Sequence, residues 1–368
     1  MVFHKTHGMN QPLFSMRTLY VSRTPADASV YPTISAALDA IPMDLNEPAC
    51  IYLAPGIYHE KITINKPYLT ILGTGKSNKD VVLTYDDYAL APMADIGKLG
   101  TFRSYSVFID THDVTLQNLT IENASGDSLT HGQAIALYAD SDRLVIDSCR
   151  LIGHQDTLFT GPLPPKEIEP DGFIGPKQFA PRINGRQYYK NCYICGDIDF
   201  IFGSATAYFE NCVIESLCHT TNVNDIQGYI TAASTPESQE YGYVFSNCKL
   251  ISKNCPPNSV YLGRPWRNYA KTVFLECALG NHIHECGFHD WKKEDARNTV
   301  LYAEYRNYPA SSADTTSNNR SLNDDIHCID GRCIPYPHRA EYVCELDAVQ
   351  AEHFSKENVL SGADHWNP

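Results

Sequence analysis

Val114-Thr115-Leu116-Gln117-Asn118-Leu119-Thr120-Ile121 alternates apolar and polar side chains along most of its length, as a strand buried on one face does. The phrase comes back. Tyr68–Gly73 is an early, weaker copy, and clear ones follow at Leu144–Leu151, Tyr188–Ile194, Tyr208–Ile214, Val244–Leu250 and Val273–Leu279. Their kernel is an aromatic or aliphatic residue, any residue, Asn or Ser, Cys, any residue and an aliphatic one. It reads Ser148-Cys149, Asn191-Cys192, Asn211-Cys212 and Asn247-Cys248, with Glu276-Cys277 as a variant. A short strand cannot bury its face alone, whereas stacked copies share one continuous core. The gaps between these kernels run from 20 to 43 residues, which a coil with variable loops on one side accommodates. The fold expected is all-β: a right-handed parallel β-helix, one strand per copy, in a single domain over 1–368. Cys at a fixed register reads as a small apolar residue stacked on its equivalent in the next coil. Cys192 and Cys212, on adjacent coils, are the pair expected to join if the protein meets an oxidant.

Upstream, Leu19-Tyr20-Val21 reads as a strand, and Thr33 as the N-cap of a short helix. Ile34, Ala37, Leu38 and Ile41 fall at helical spacing before Pro42 stops the run. This amphipathic helix is expected to cap the N-terminal end of the core, with residues 1–16 a flexible tail. Pro162–Gly185 carries six prolines and no periodicity, so it reads as a long ordered loop. It lies between Gln155-Asp156 and Asp199 and should overhang whatever site they form. Residues 308–338 form a second irregular excursion, and Ala348–Val359 a short terminal helix.

Composition narrows the function classes. Of 368 residues, 43% are apolar and 20% charged, enough for a sizeable core. The net charge of −14, from 29 basic and 43 acidic side chains without a basic block, argues against nucleic acid. It also makes a densely anionic polymer a poor partner unless its charges are masked. No run of 18 apolar residues is present, so no membrane span is expected. Met1–Met16 has no apolar core of signal-peptide type, which favours a cytoplasmic, reducing location, with secretion as the alternative. The 13 cysteines are read as holding no CxxC pair and no zinc spacing, and neither a metal nor a cofactor is expected.

The chemistry centres on Gly196-Asp197-Ile198-Asp199-Phe200-Ile201-Phe202-Gly203. A period of two puts Asp197 and Asp199 on one face and Ile198, Phe200 and Phe202 on the other. A carboxylate in so apolar a segment is costly unless it is paired or has work to do. Two stretches look able to meet it: Gly153-His154-Gln155-Asp156-Thr157-Leu158 and Leu262-Gly263-Arg264-Pro265-Trp266. Two carboxylates facing one cleft do not both ionise easily. Asp199 held by Arg264 would be the charged member and a possible nucleophile; Asp156 would keep its proton and serve as general acid, later base. Gln155 and Gln133 offer amide donors to a developing oxyanion, and Trp266 a flat surface for sugar rings.

Each residue alone has a plainer reading. Asp forms turns, Arg sits in solvent, Gln133 can satisfy a strand end, and Phe202 can be core. His154 has no partner in view and reads as structural. The order of the motifs carries more. Gly56-Ile57-Tyr58-His59-Glu60, Gln133-Ala134-Ile135-Ala136-Leu137, Gln155-Asp156-Thr157-Leu158, Asp199-Phe200-Ile201-Phe202-Gly203 and Leu262-Gly263-Arg264-Pro265-Trp266 follow one another. Together they resemble the pectin methylesterases (pectinesterases, carbohydrate esterase family 8), from about Leu19 to the closing His365-Trp366-Asn367-Pro368. The resemblance implies a right-handed parallel β-helix and metal-free hydrolysis of galacturonate methyl esters in homogalacturonan or its oligomers, by a monomer. It implies Asp199 as nucleophile, Asp156 as acid and then base, Gln155 with Gln133 as oxyanion donors, and Arg264 as the group positioning Asp199. Trp266 becomes a sugar platform, and Thr101 and Phe202 cleft-lining residues; strict alternation would aim Phe202 away from Asp199. Three rival readings are a calcium-dependent pectate lyase, a non-catalytic carbohydrate-binding β-helix, and an esterase of the same family retuned to another ester.

Overall fold

The computed structural model describes residues 16–25, 27–43, 47–94, 97–310 and 338–368. Three long sheets, of twelve, nine and seven strands, share the chain, and every strand in them pairs in parallel with its neighbours. The remaining pair, Pro92–Met93 with Gly97–Lys98, is antiparallel and lies outside them. Successive turns visit the sheets in rotation, so the same register recurs one coil later: Val114 faces Leu69 and Leu144, and Val145 faces Tyr188. This is a parallel β-helix.

Each clear copy of the phrase proves to be two strands rather than one, while the weaker Tyr68–Gly73 holds only Leu69–Gly73. Val114–Gln117 belongs to the twelve-stranded sheet and Thr120–Asn123 to the nine-stranded sheet; Leu144–Asp147 and Arg150–Ile152 divide in the same way. The corner between them explains the kernel. Asn118, Ser148, Asn191, Asn211, Asn247 and Glu276 all have φ between 53° and 55°. That left-handed conformation turns the chain sharply, and among residues with a side chain Asn tolerates it best. The Cys that follows points inward, where Cys149, Cys192, Cys212, Cys248 and Cys277 are all buried in the main core. Each thiol contacts a carbonyl of the preceding coil, Cys212 on Tyr189 and Cys248 on Phe209 at 3.4 Å, for example.

The core between the sheets is a column of stacked side chains. Tyr189, Phe209, Phe245 and Phe274 lie face to face at centroid spacings of 4.6, 4.4 and 4.5 Å, with interplanar angles of 7–11°. One coil's rise therefore matches the stacking distance of aromatic rings. Helix Ile34–Asp39 packs on the N-terminal end of this column. Thr33 Oγ1 accepts from Ala36 N at 3.1 Å, and Ile34, Ala37, Leu38 and Ile41 are buried. Near the C-terminus the expected single helix is two, Ala348–Glu352 and Lys356–Leu360. Phe354, Val359 and Leu360 cover the outer face of the twelve-stranded sheet over Tyr188, Tyr208, Val244 and Val273.

Pro162–Gly185 contains no strand or helix. Its shape is set from within: the Arg182 guanidinium donates to the carbonyls of Pro164, Lys177, Gln178 and Ala180 at 2.6–3.2 Å. Lys177 fastens it to the coils through Asp110, at 2.5 Å, and Asp140, at 3.5 Å. The tail expected over 1–16 lies outside the described residues except for Met16, as does most of the excursion at 308–338.

Cys192 and Cys212, expected to join only under an oxidant, are free thiols here, each directed at a backbone carbonyl. The reading that no CxxC pair is present needs correction: Cys192-Tyr193-Ile194-Cys195 has that spacing, but it runs along a strand. Residues three apart then face opposite sides, and only Cys192 joins the main core.

Candidate active site

Three adjacent strands of the seven-stranded sheet, Leu158–Thr160, Ile198–Gly203 and Gly228–Ala233, line up beside Val260–Gly263 and build the floor of a cleft of about 920 Å³. Asp156 and Gln155 stand in the turn before the first strand, Asp199 on the second, and Arg264 and Trp266 just after the fourth. Thr101, Gln133 and Phe202 complete the set, so every residue given a catalytic or substrate-binding role from the sequence lines one cleft.

Ideal alternation fails where it matters. The pairing of Ile198–Gly203 with Gly228–Ala233 shifts register between Ile198 and Ile201, and Asp199 has φ 51°. This bulge turns the Asp199 carboxylate into the cleft together with Phe202, while Phe200 enters the main core. Asp197 is the residue misplaced by the period-of-two reading. It faces away, 1% exposed, and accepts from Ser128 Oγ at 2.6 Å and from Ile198 N at 2.6 Å. His154 and His219 approach the same carboxylate at 3.4 and 3.6 Å, so His154 does have a partner. Their hydrogen bonds raise both imidazoles above the usual histidine value, while against the cost of burial the same contacts hold Asp197 down at about 2. Gly196 makes this crowding possible, because a Cβ there would collide with Phe200 and the His154 carbonyl.

The two cleft carboxylates differ in their partners. Arg264 grips Asp199 with two parallel bonds, Nε to Oδ1 at 2.8 Å and Nη2 to Oδ2 at 2.7 Å. The guanidinium is itself clamped between two rings, 3.8 Å from the centroid of Tyr229 and 3.7 Å from that of Trp291. Lys293 donates to the carbonyls of Pro265 and Trp266 at 2.7 and 3.1 Å, and burial lowers its amine to about 8. Asp156 has no such cation. Burial and then the charge of Asp199 push its carboxyl well above the usual carboxylate range. Burial also raises Asp199, but Arg264 pulls it back, so the first proton to leave the pair leaves Asp199. Gln133 and Gln155 line the cleft, and neither side-chain amide donates to another described residue.

An aromatic wall supports the floor: Phe102, Phe159, Phe173 and Phe202 pack around Trp266, with Phe202 5.6 Å from its ring. Loop residues Ile168 to Ile174 close over the rim. Among the described residues no group of three His, Cys, Asp or Glu side chains is arranged to hold a metal ion. Tyr229, Trp291 and Lys293 escaped the sequence reading, whereas the overhanging loop was expected. Trp291 left the one usable signal, since the chain has only three tryptophans and this one heads a Trp-Lys-Lys run.

The sequence profile of the pectinesterase family matches residues 21–162 and 182–323. The chain belongs to the pectinesterase family. The profile leaves residues 163–181, most of the Pro162–Gly185 loop, unmatched. Pectinesterase 31 of Arabidopsis thaliana is 32% identical over 318 residues, 84% of this chain and 90% of that one. A probable pectinesterase A of Neosartorya fischeri is 35% identical over 301 residues, 80% of each. Among solved structures, pectin methylesterase PemA from Erwinia chrysanthemi superposes with a TM-score of 0.70 at 26% identity, covering 96% of this chain and 99% of that one. A pectin methylesterase in complex with a hexasaccharide gives 0.71 at 26% identity, over 96% and 100%. The parallel β-helix is thus the family's fold.

Proposed function

We infer that this pectinesterase hydrolyses the methyl esters of galacturonate units in homogalacturonan or its oligomers, working as a monomer with Asp199 as nucleophile. The observation that carries the reading is the contrast between two neighbouring carboxylates, one gripped by Arg264 and one without a cation. The charged Asp199 attacks the ester carbonyl carbon. The amides of Gln155 and Gln133 donate to the oxyanion that forms, and Asp156 gives its proton to the departing methanol. The acyl intermediate is an anhydride on Asp199. Asp156, now a carboxylate, takes a proton from water, whose oxygen attacks that carbonyl and frees Asp199. Trp266 offers its face to a sugar ring, with Phe202 and Thr101 shaping the cleft beside it. The hexasaccharide bound by a relative of the same fold supports oligomers as substrates.

The test is methanol release from methyl-esterified oligogalacturonides with EDTA present. Turnover should persist, no unsaturated product should absorb in the ultraviolet, and Asp199→Asn should abolish it while binding remains. Loss of activity with EDTA and appearance of an unsaturated product would instead indicate a lyase; binding without turnover in the parent would indicate a carbohydrate-binding module.

A further inference from the structure

Eleven described cysteines are free thiols. The five of the core ladder are buried, and burial pushes the thiols of Cys149, Cys192, Cys212 and Cys248 far up. Cys218 and Cys255 are different. Their sulfurs are 3.7 Å apart, Cys218 is exposed, and Cys255 is half-buried against the edge of the core. Their placement follows from the coil. Tyr193–Gly196, Val213–Ser216 and Lys249–Ile251 are consecutive parallel neighbours in the nine-stranded sheet. The turns leaving them stack, so Asp197, Cys218 with His219, and Cys255 sit above one another on three coils.

We propose that Cys218 and Cys255 are a redox-sensitive pair that closes to a disulfide and staples two adjacent coils behind the catalytic strand. The turns around the pair are already fixed. Ser252 Oγ donates to the Ser216 carbonyl at 2.7 Å and accepts from Cys255 N at 3.0 Å. Gln227 ties the Cys218 loop, accepting from Thr220 N at 3.0 Å and donating to the Asn222 carbonyl at 2.9 Å. Bonding needs the sulfurs to move to about 2 Å apart, a shift the exposed Cys218 side chain can supply by rotation. A peroxide is the oxidant. The Cys218 thiolate attacks it, forming a sulfenic acid and releasing hydroxide. Cys255, its proton passing to that hydroxide, then attacks the sulfenic sulfur and expels a second hydroxide, which ends as water. Two thiols lose two electrons, and one hydrogen peroxide becomes two waters. Cys218 meets the peroxide first because it is the exposed member of the pair, whereas burial raises the Cys255 thiol; Cys255 takes the second step because its sulfur already lies beside that of Cys218. The staple spans 37 residues and ties down His219, the neighbour of Cys218 that contacts Asp197 and Ser128.

The test treats the fully reduced protein with one equivalent of hydrogen peroxide, then maps peptides without reduction. A linked peptide pair containing Cys218 and Cys255 is expected, with a loss of two thiols per chain and a Tm gain of roughly 5 °C that dithiothreitol reverses. Cys218→Ser and Cys255→Ser should each abolish the link and the gain while keeping parent Tm and methanol release under reducing conditions. Three results overturn the proposal: Cys218 recovered only as sulfinic or sulfonic acid, a link from Cys218 to any other cysteine or to a second chain, or the expected link without a rise in Tm.

Discussion

Both cleft carboxylates sit on backbone that side-chain-bearing residues avoid, Asp156 at φ 67° and Asp199 at φ 51°. Each such position costs on the order of 1 kcal/mol, which the surrounding coils impose so that both acids point into the cleft. Asn accepts this conformation as readily as Asp, so Asp199→Asn and Asp156→Asn separate chemistry from folding. Removing the nucleophile should lower kcat by about 10³-fold or more with little change in Tm. The pH profile follows from the same pair. In the proposed mechanism Asp199 must be charged, so activity falls as pH drops through its pKa, and Asp156 must keep its proton, so activity falls again as pH rises through its own. A bell-shaped kcat/KM profile is expected, and its alkaline limb should vanish in Asp156→Asn against any substrate whose leaving group needs no proton. Asp199, Asp156, Gln155 and Arg264 were legible because their residue types carry the chemistry. Tyr229 and Trp291 were not, because stacking on Arg264 arises between coils far apart in sequence.

At the scale of the element, the repeated phrase was visible but its parts were miscounted. A strand–corner–strand unit and a single strand share the same alternation on each side of one residue, and only the φ of Asn118 or Asn211 separates them. Such corners make a direct prediction. Asn247→Ala should cost roughly 1 kcal/mol, seen as a lower midpoint in urea, whereas Asn247→Gly should be close to neutral. The Asp197 cluster shows the opposite failure, a sequence face assigned by period that a bulge reversed. It joins the strand Ile198–Gly203 to the turn of His154 and to the helix Ser128–His131. Its ionic part has a pH window. The histidines, raised above 6.5, contribute fully below that value and lose their contribution as pH rises through their folded-state values. Asp197, lowered to about 2, contributes above 3.8 and loses it as pH falls toward 2. Asp197→Asn should therefore cost about 2 kcal/mol, with the largest Tm drop near pH 5 and a smaller one above about pH 8. A drop independent of pH would assign the cluster a purely packing role.

The whole molecule is a column of stacked coils, and the Pro162–Gly185 loop hangs beside its cleft. Its anchors and its working edge are separate. Lys177 and Arg182 fix it to the coils and to itself, whereas Ile168 to Ile174 reach the rim of the cleft. Phe173 packs into the aromatic wall at 5.8 Å from Phe102 and 6.3 Å from Trp266, so the loop braces the sugar platform without touching Asp156 or Asp199 through a hydrogen bond. A rim that adds surface beyond the reacting unit should supply binding rather than chemistry. Replacing residues 167–172 by a short Gly-Ser link, with Phe173, Lys177 and Arg182 kept, should raise KM for methylated oligomers about tenfold, leaving kcat within about twofold. The KM effect should grow with oligomer length until the chain outreaches the rim, then level off. Kinetics on a ladder of defined oligomers decides it: a fall in kcat at constant KM would place the loop in the chemical step, and an equal effect at every length would mean that it only holds the scaffold in shape.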